Sequence, residues 1–359
     1  MHKRLPIGTG AVLALAGLVS VPMLAVLASM AAGEAGLWSR LWSTTLPGYL
    51  LNTGALMLMT GAIAALIGTG AAWCVTMLDF PGRRALSWLL ILPLAAPAYI
   101  VAYYYADLLE YFGPVQSGLR SLFGWERGDY PIPAVRTLPG AALILALVLY
   151  PYVYLLARAA FARQSSGQWH AARSLGHSPW SAFRRVALPS ARPAIAGGLA
   201  LVLMETLADF GVADYFGIPT FSTGIFRSWL AGGDRVGAMM LAGVMLLVVL
   251  ALVLFESWSR KGRVASQGRT RAQDAPVSLS GARRWLISLL CFLPVLFGFL
   301  IPFAGLAWMS VSGGDGQGGG AFLVFARNSV FVAVLVAAAS VAIALLLAYA
   351  RRARNSRLM

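Results

Sequence analysis

The sequence predicts an all-α, polytopic membrane protein with about eight transmembrane helices. Three observations carry this. Mean hydropathy is +0.75, with 59% hydrophobic and only 11% charged residues over 359 positions, a balance that soluble domains of this size do not keep. Apolar runs long enough to span a bilayer recur along the chain. The net charge of +15 resides in short loops between those runs, not on one basic face.

The runs fall at 6–30, 50–78, 85–112, 138–161, 193–218, 236–257, 284–310 and 327–350. The first follows His2-Lys3-Arg4 and is read as an uncleaved span. It is too long for a signal peptide, and no small-x-small cleavage site precedes a soluble domain. The second contains Gly61, Gly68 and Gly70, small residues that let helices approach. It closes at Asp79-Phe80-Pro81-Gly82-Arg83-Arg84, which reads as a tight turn with Asp79 near the arginines. Pro93 and Pro97 should kink the third span. Near its outer end stand Tyr99, Tyr103, Tyr104 and Tyr105, with Asp107 and Glu110 beyond. These tyrosines read first as an interfacial aromatic belt. The second reading is a transfer site in which phenolates receive ferric iron.

The fifth run carries two carboxylates, Glu205 and Asp209. Charged groups in an apolar helix are expensive and should face a cavity or a cationic partner. Four residues apart, they share a helix face and are candidates for a translocation path. The alternative is that they pair with arginines or helix ends and only fix packing. Residues 258–284 are polar and basic and read as a cytoplasmic linker.

Orientation follows from the cations. Arg40, Arg120, Arg127, Arg136, Arg227, Arg235 and Arg327 fall in one set of alternate loops, and the rest of the 28 lysines and arginines fall in the other. The richer set is cytoplasmic, which puts the N-terminus inside. There is no nucleic-acid motif, so no nucleic-acid partner is expected. Lys3 and Lys261 are the two lysines, and neither sits in a Gly-Lys-Ser/Thr loop, so ATP would be hydrolysed by a separate polypeptide. Cys74 and Cys291, far apart in sequence, form no disulfide framework or metal cluster. No catalytic residues, resident metal or cofactor are expected, and membrane lipid is the surrounding partner.

Residues 170–189 read His-Ala-Ala-Arg-Ser-Leu-Gly-His-Ser-Pro-Trp-Ser-Ala-Phe-Arg-Arg-Val-Ala-Leu-Pro. They predict a short helix, a stop at Gly176, a second short helix opened by Ser178-Pro179, and a proline break at Pro189. Arg173, Arg184 and Arg185 hold the stretch in the cytoplasm. The spacing closely resembles the cytoplasmic signature loop of permease subunits of binding-protein-dependent ABC importers: Glu-Ala-Ala, three residues, Gly, nine residues, Ile-x-Leu-Pro. Here His170 replaces Glu and Val186 replaces Ile, while Ala171, Ala172, Gly176, Leu188 and Pro189 match. The resemblance implies that this loop, within 158–192, inserts into a cleft of the ATPase subunit. It also implies the ABC importer permease fold in a bacterial inner membrane, with a periplasmic binding protein delivering cargo.

Leu203–Gly211, with the Tyr215-Phe216-Gly217 and Thr220–Ile225 segments after it, resembles the ferric-iron type of these permeases. That type fuses two six-helix modules. Asn52, Ala62, Ile67 and Ala72 match Asn328, Ala338, Ile343 and Ala348 in register, a weak repeat consistent with such a fusion. The expected layout is a first module at 1–257, the linker at 258–284, and the start of a second module at 285–359. The pore would then be completed by further helices or by a second permease subunit. The expected cargo is ferric iron, with thiamine, polyamine or another small ion as the alternative. A rival from another class is an ion-gradient-driven secondary transporter.

Overall fold

The computed structural model describes residues 7–31, 35–126, 129, 134–163, 174–176, 178–260, 277–312 and 320–353. It is built of helices. Two compact units emerge: Met1–Ala32 with Trp308–Met359, and Gly33–Ala307.

The smaller unit pairs α1 (Ile7–Ala31) with α15 (Gly320–Ala353). Within α15 the span Phe322–Leu346 has none of its residues buried.

The larger unit opens with α2 (Ala35–Thr44) and is organised around three helices, α3 (Leu46–Met77), α7 (Leu138–Ala162) and α9 (Leu188–Ala208). Their contact is made by glycines. A Cβ on Gly68 would stand 2.8 Å from the Tyr150 carbonyl oxygen and from Val153 Cβ, and one on Gly198 would stand 2.7 Å from Val153 Cα. The backbones of α3 and α9 thus both close on α7 around Val153, the close approach that small residues permit in membranes. Gly61 meets the side chains of Leu199 and Leu203, whereas Gly70 faces nothing within 4 Å. Only the first two of the three expected packing glycines are therefore in contact.

Between α3 and α7 lie α4 (Arg83–Leu89), a 3₁₀ turn (Leu92–Ala95), α5 (Ala98–Leu109) and α6 (Pro114–Phe123). The expected kink is here a full break, with the two arms meeting at 90°. Pro97 lacks an N–H and holds Ala96 extended, so the helix cannot run through. At the preceding turn Asp79 is exposed, and Arg83 does not face it. The Arg83 guanidinium donates to the Val75 carbonyl at 2.7 Å and to Thr76 at 3.4 Å, satisfying the free carbonyls at the end of α3.

After α9 come α10 (Gly211–Tyr215), α11 (Phe221–Phe226), a π-turn (Arg227–Ala231) and α12 (Arg235–Arg260). The chain then returns as α13 (Ala282–Val295), a second π-turn (Leu296–Leu300) and α14 (Ile301–Ser312). Among the described residues the one sheet is a parallel bridge of β1 (Leu78–Asp79) and β2 (Val277–Ser278). Helix α13 lies along α3 and α4, where Ser288 Oγ donates to the Pro81 carbonyl at 2.9 Å. It also brings Cys291 close enough to Cys74 for the two free thiols to interact. Residues remote in sequence are thus neighbours. Pro151, inside α7, strips the Leu147 carbonyl of its intrahelical donor. Gly298 sits against that carbonyl, with room for no Cβ.

Six helices among the described residues are long and apolar enough to cross a membrane, or seven if the bent pair counts as one. Helix α1, 25 residues long, contains the apolar stretch Ala14–Met30. The largest departure from the sequence reading is the fifth span. Expected at 193–218, it runs instead over Trp180–Ala208. The apolar character of 210–218 belongs to short helices beyond a break, and the cytoplasmic arginines lie on the span's first turns.

Candidate functional site

Three features claim attention: the cytoplasmic element ahead of α9, the two carboxylates near its far end, and a cavity beyond them.

His170, Ala171, Ala172, Arg173 and His177 lie outside the described residues. Gly176 has φ +84°, the left-handed conformation that ends a helix at a glycine. Ser178 Oγ accepts from the Ser181 N–H at 3.2 Å and caps α8 (Pro179–Ala182). Both features match the sequence expectation. The proline break does not occur. A π-turn, Phe183–Ala187, joins α8 to α9, with the Leu188 N–H donating to the Phe183 carbonyl. Pro189 cannot donate to the Arg185 carbonyl four residues back, and the wider π-turn accommodates that lost bond without stopping the helix. The segment from Pro179 and α9 are consequently one rod.

An aromatic cluster fixes the base of that rod. Phe183 is buried, with its ring centroid 4.7 Å from Trp73 of α3 and 6.4 Å from Phe161 of α7, while Trp73 and Phe161 meet at 5.4 Å. On the outside stand Leu175, 80% exposed, and Trp180, 64% exposed, beside exposed Arg184 and Arg185; Val186, Leu188 and Pro189 are half-buried. Sequence reasoning missed Leu175 and Trp180. Their signal is large apolar side chains among arginines in a segment outside the bilayer.

Glu205 is exposed on α9, close enough to act electrostatically on Tyr152 of α7 and on Asp209. Asp209 does not share its helix face. Ala208 is the last helical residue, and Asp209 is extended, with ψ 121°. Its carboxylate accepts from the Val212 and Ala213 N–H groups, both at 3.1 Å, and so caps α10. The turn that follows is clamped to α3. Asn52 Nδ2 donates to the Pro219 carbonyl at 3.1 Å, and the Phe221 N–H donates to Thr53 Oγ1 at 3.2 Å. Thr220 and Thr223 form a reciprocal capping box for α11.

Between α5 and α10 opens a cavity of about 390 Å³ lined by Tyr99, Ile100, Tyr103, Gly211, Asp214 and Tyr215. The four tyrosines grouped in the sequence are thereby sorted. Tyr99 and Tyr103, one turn apart, face the cavity. Tyr105 instead donates to the Phe297 carbonyl at 2.5 Å, and the Tyr104 ring lies over Gly305. The Tyr103 and Tyr215 rings are 5.9 Å apart. Arg136 stands over Tyr215 at 4.7 Å, donates to its hydroxyl at 3.3 Å, and pairs with Glu110. Asp214 pairs with Arg227 at 3.6 Å. Among the described residues no three His, Cys, Asp or Glu side chains converge as a metal cluster.

Residues 64–257 match the family model described as binding-protein-dependent transport system inner membrane component. The chain is 26% identical over 178 residues to the sulfate transport system permease protein CysT of Escherichia coli, covering 48% of this chain and 61% of that protein. Against the E. coli sulfate permease protein CysW the identity is 30% over 164 residues, 44% of this chain and 52% of that one. A putative 2-aminoethylphosphonate transport system permease protein, PhnU of Salmonella choleraesuis, is 26% identical over 211 residues, 58% and 72% of the two chains. Among solved structures, a bacterial ABC transporter that imports the acidic polysaccharide alginate matches with a TM-score of 0.56 at 19% identity, covering 71% of this chain and 95% of that one. This last likeness shows the fold. The chain is therefore a multi-pass inner-membrane transport subunit, not an enzyme, that works with a separate ATPase and a periplasmic binding protein. The ion-gradient-driven alternative is set aside, because the chain belongs to the family of inner membrane components of binding-protein-dependent transport systems.

Proposed function

We propose that this permease conducts ferric iron, released by its binding protein on the outer side and driven by ATPase subunits docked at 158–192. The observation that carries this reading is Glu205. It is an exposed carboxylate on the rod that begins at the docking element, and a hard trivalent cation prefers oxygen donors. The resemblance of 203–225 to ferric-iron permeases supports the same cargo. Closure of the ATPases would push on Leu175, Trp180 and the arginines. Because Phe183 anchors the rod's base against Trp73 and Phe161, that push would tilt or turn α9 and change access to Glu205.

The relatives' names favour a second reading, an oxyanion such as sulfate or a phosphonate. The experiment is uptake into proteoliposomes holding the assembled permease, its ATPase and its binding protein. Radioactive ferric iron and sulfate are supplied in parallel. Iron uptake that requires ATP supports the proposal. Sulfate uptake without iron uptake rejects it.

A further inference from the structure

We infer that α6 is an interfacial anchor. It lies along the outer leaflet with Leu119, Leu122 and Phe123 among the acyl chains, and it thereby holds the outer end of α5 at a fixed depth. The partner is the lipid surface, and the inference is independent of the cargo.

The 10 residues of α6 extend about 15 Å, about half of what crossing the hydrocarbon core requires, so the helix lies along a surface. At about 100° per residue its side chains sort into three sectors. Val115, Leu119, Leu122 and Phe123, spaced i, i+4, i+7 and i+8, make one apolar stripe. Gln116 and Arg120 make the sector beside it, which faces the protein. Gln116 is 7% exposed and donates to the Leu109 carbonyl at 2.7 Å. Arg120 donates to the Tyr111 carbonyl at 2.7 Å and stands over the Tyr111 ring at 4.0 Å. Both carbonyls lie at or just past the end of α5, beyond the reach of its own N–H groups. Ser117, Gly118 and Ser121 make the third sector, with Ser121 exposed. A helix lying on a protein in water does the reverse, burying its leucines and showing its glutamine. Here Leu122 is 78% and Phe123 60% exposed, and Phe112, just ahead of the helix, is more exposed still. The stripe calls for apolar surroundings and the serine sector for water, and a bilayer surface supplies both at once. The helix stops at Gly124, with φ +63°, and Trp125 stacks on Phe123 at 4.6 Å. Indoles collect at this depth. Continuity with the membrane favours lipid over a protein partner. Helix α6 follows the broken span α5 through residues 110–113 alone. A Cβ on Gly113 would collide with the Asp107 carbonyl oxygen and stand 2.8 Å from that of Leu108. The chain therefore folds back tightly there, and α6 begins at the level where α5 ends.

The test uses Phe112→Cys, Ser121→Cys, Leu122→Cys and Phe123→Cys, each in a background lacking Cys74 and Cys291 and each carrying a nitroxide. The assembled complex is held in liposomes, and co-purification with the ATPase confirms that each variant assembles. Collision of the label with oxygen, which concentrates among acyl chains, is compared with collision with a water-soluble nickel chelate. Labels at 112, 122 and 123 should give an oxygen-to-nickel ratio several times that at 121, with or without the binding protein. Nickel access at 122 and 123 equal to that at 121 places the stripe in water and overturns the inference. Shielding from both reagents, whether constant or appearing when the binding protein is added, puts a protein on the stripe and overturns it as well. Depth is read from a bimane on Leu122→Cys. Lipids brominated near the headgroup should quench it more than lipids brominated near the chain ends, and the opposite order would place α6 in the bilayer centre and reject an interfacial position.

Discussion

Glu205 and Asp209 stand four residues apart in sequence but in different environments, because Ala208 is the last helical residue between them. The shared face read from spacing assumed an apolar run that stayed helical to 218. What the spacing could not contain was the competition of the Val212 and Ala213 N–H groups for the Asp209 carboxylate. We expect Glu205→Gln to keep membrane abundance and lower uptake. Asp209→Ala should remove a cap worth about 1 kcal/mol and lower both abundance and the melting temperature in detergent. Normal uptake at normal abundance in Glu205→Gln would overturn the proposed role of this carboxylate in the path. Glycines divide in the same way. Gly68→Val must displace backbone 2.8 Å away and should cost at least about 1–3 kcal/mol, the usual range for overpacking. Gly70→Val, with open space around it, should be nearly silent in the same melting experiment. Sequence showed that both were small residues in a span, not which one faced α7.

The segment around Gly176 and Ser178 was the most legible, because its stop and start are local chemistry. Gly176 and Ser178-Pro179 act on their own neighbours, so the turn and cap stand where the sequence puts them. Pro189 was misread because a missing N–H has two remedies, ending the helix or widening it, and the choice depends on Phe183 being held by Trp73 and Phe161. A Cβ at Gly176 would meet open space, so replacement acts through backbone strain of about 1–2 kcal/mol. Gly176→Ala should weaken co-purification with the ATPase, and Gly176→Trp should abolish it, while both insert normally. Unchanged ATPase capture by both variants would sink the docking role of this turn. The cavity, by contrast, was half legible. The tyrosine cluster stood out, but its partition needed Phe297 and Gly305, nearly two hundred residues away.

For the whole molecule, hydropathy and loop charge foretold a helical membrane protein well, since the bilayer imposes both along the chain. They foretold span boundaries less well where a helix begins in water, as Trp180–Ala208 does. Orientation is checked by single cysteines in a background lacking Cys74 and Cys291. A cysteine at Ser178 should react with an impermeant thiol reagent only from the cytoplasmic side, and one at Ser121 only from the outside. The reverse pattern would invert the topology and move the cavity to the wrong face. In sealed vesicles, uptake should need added ATPase and ATP, and a proton or sodium gradient alone should drive none.

The π-turn at Phe183–Ala187 sets an angle as well as a path. It admits one residue more per turn than the α-helix on either side, and each residue corresponds to about 100° of rotation. Trp180 and Glu205 therefore keep a phase relation that an uninterrupted α-helix would not give them. Deleting one residue within 183–187 would leave a rod of nearly the same length, with Trp180 turned about its axis relative to Glu205, and under the proposed coupling it should impair ATPase-driven uptake. The azimuth of Glu205 relative to Trp180 thus depends on one supernumerary residue.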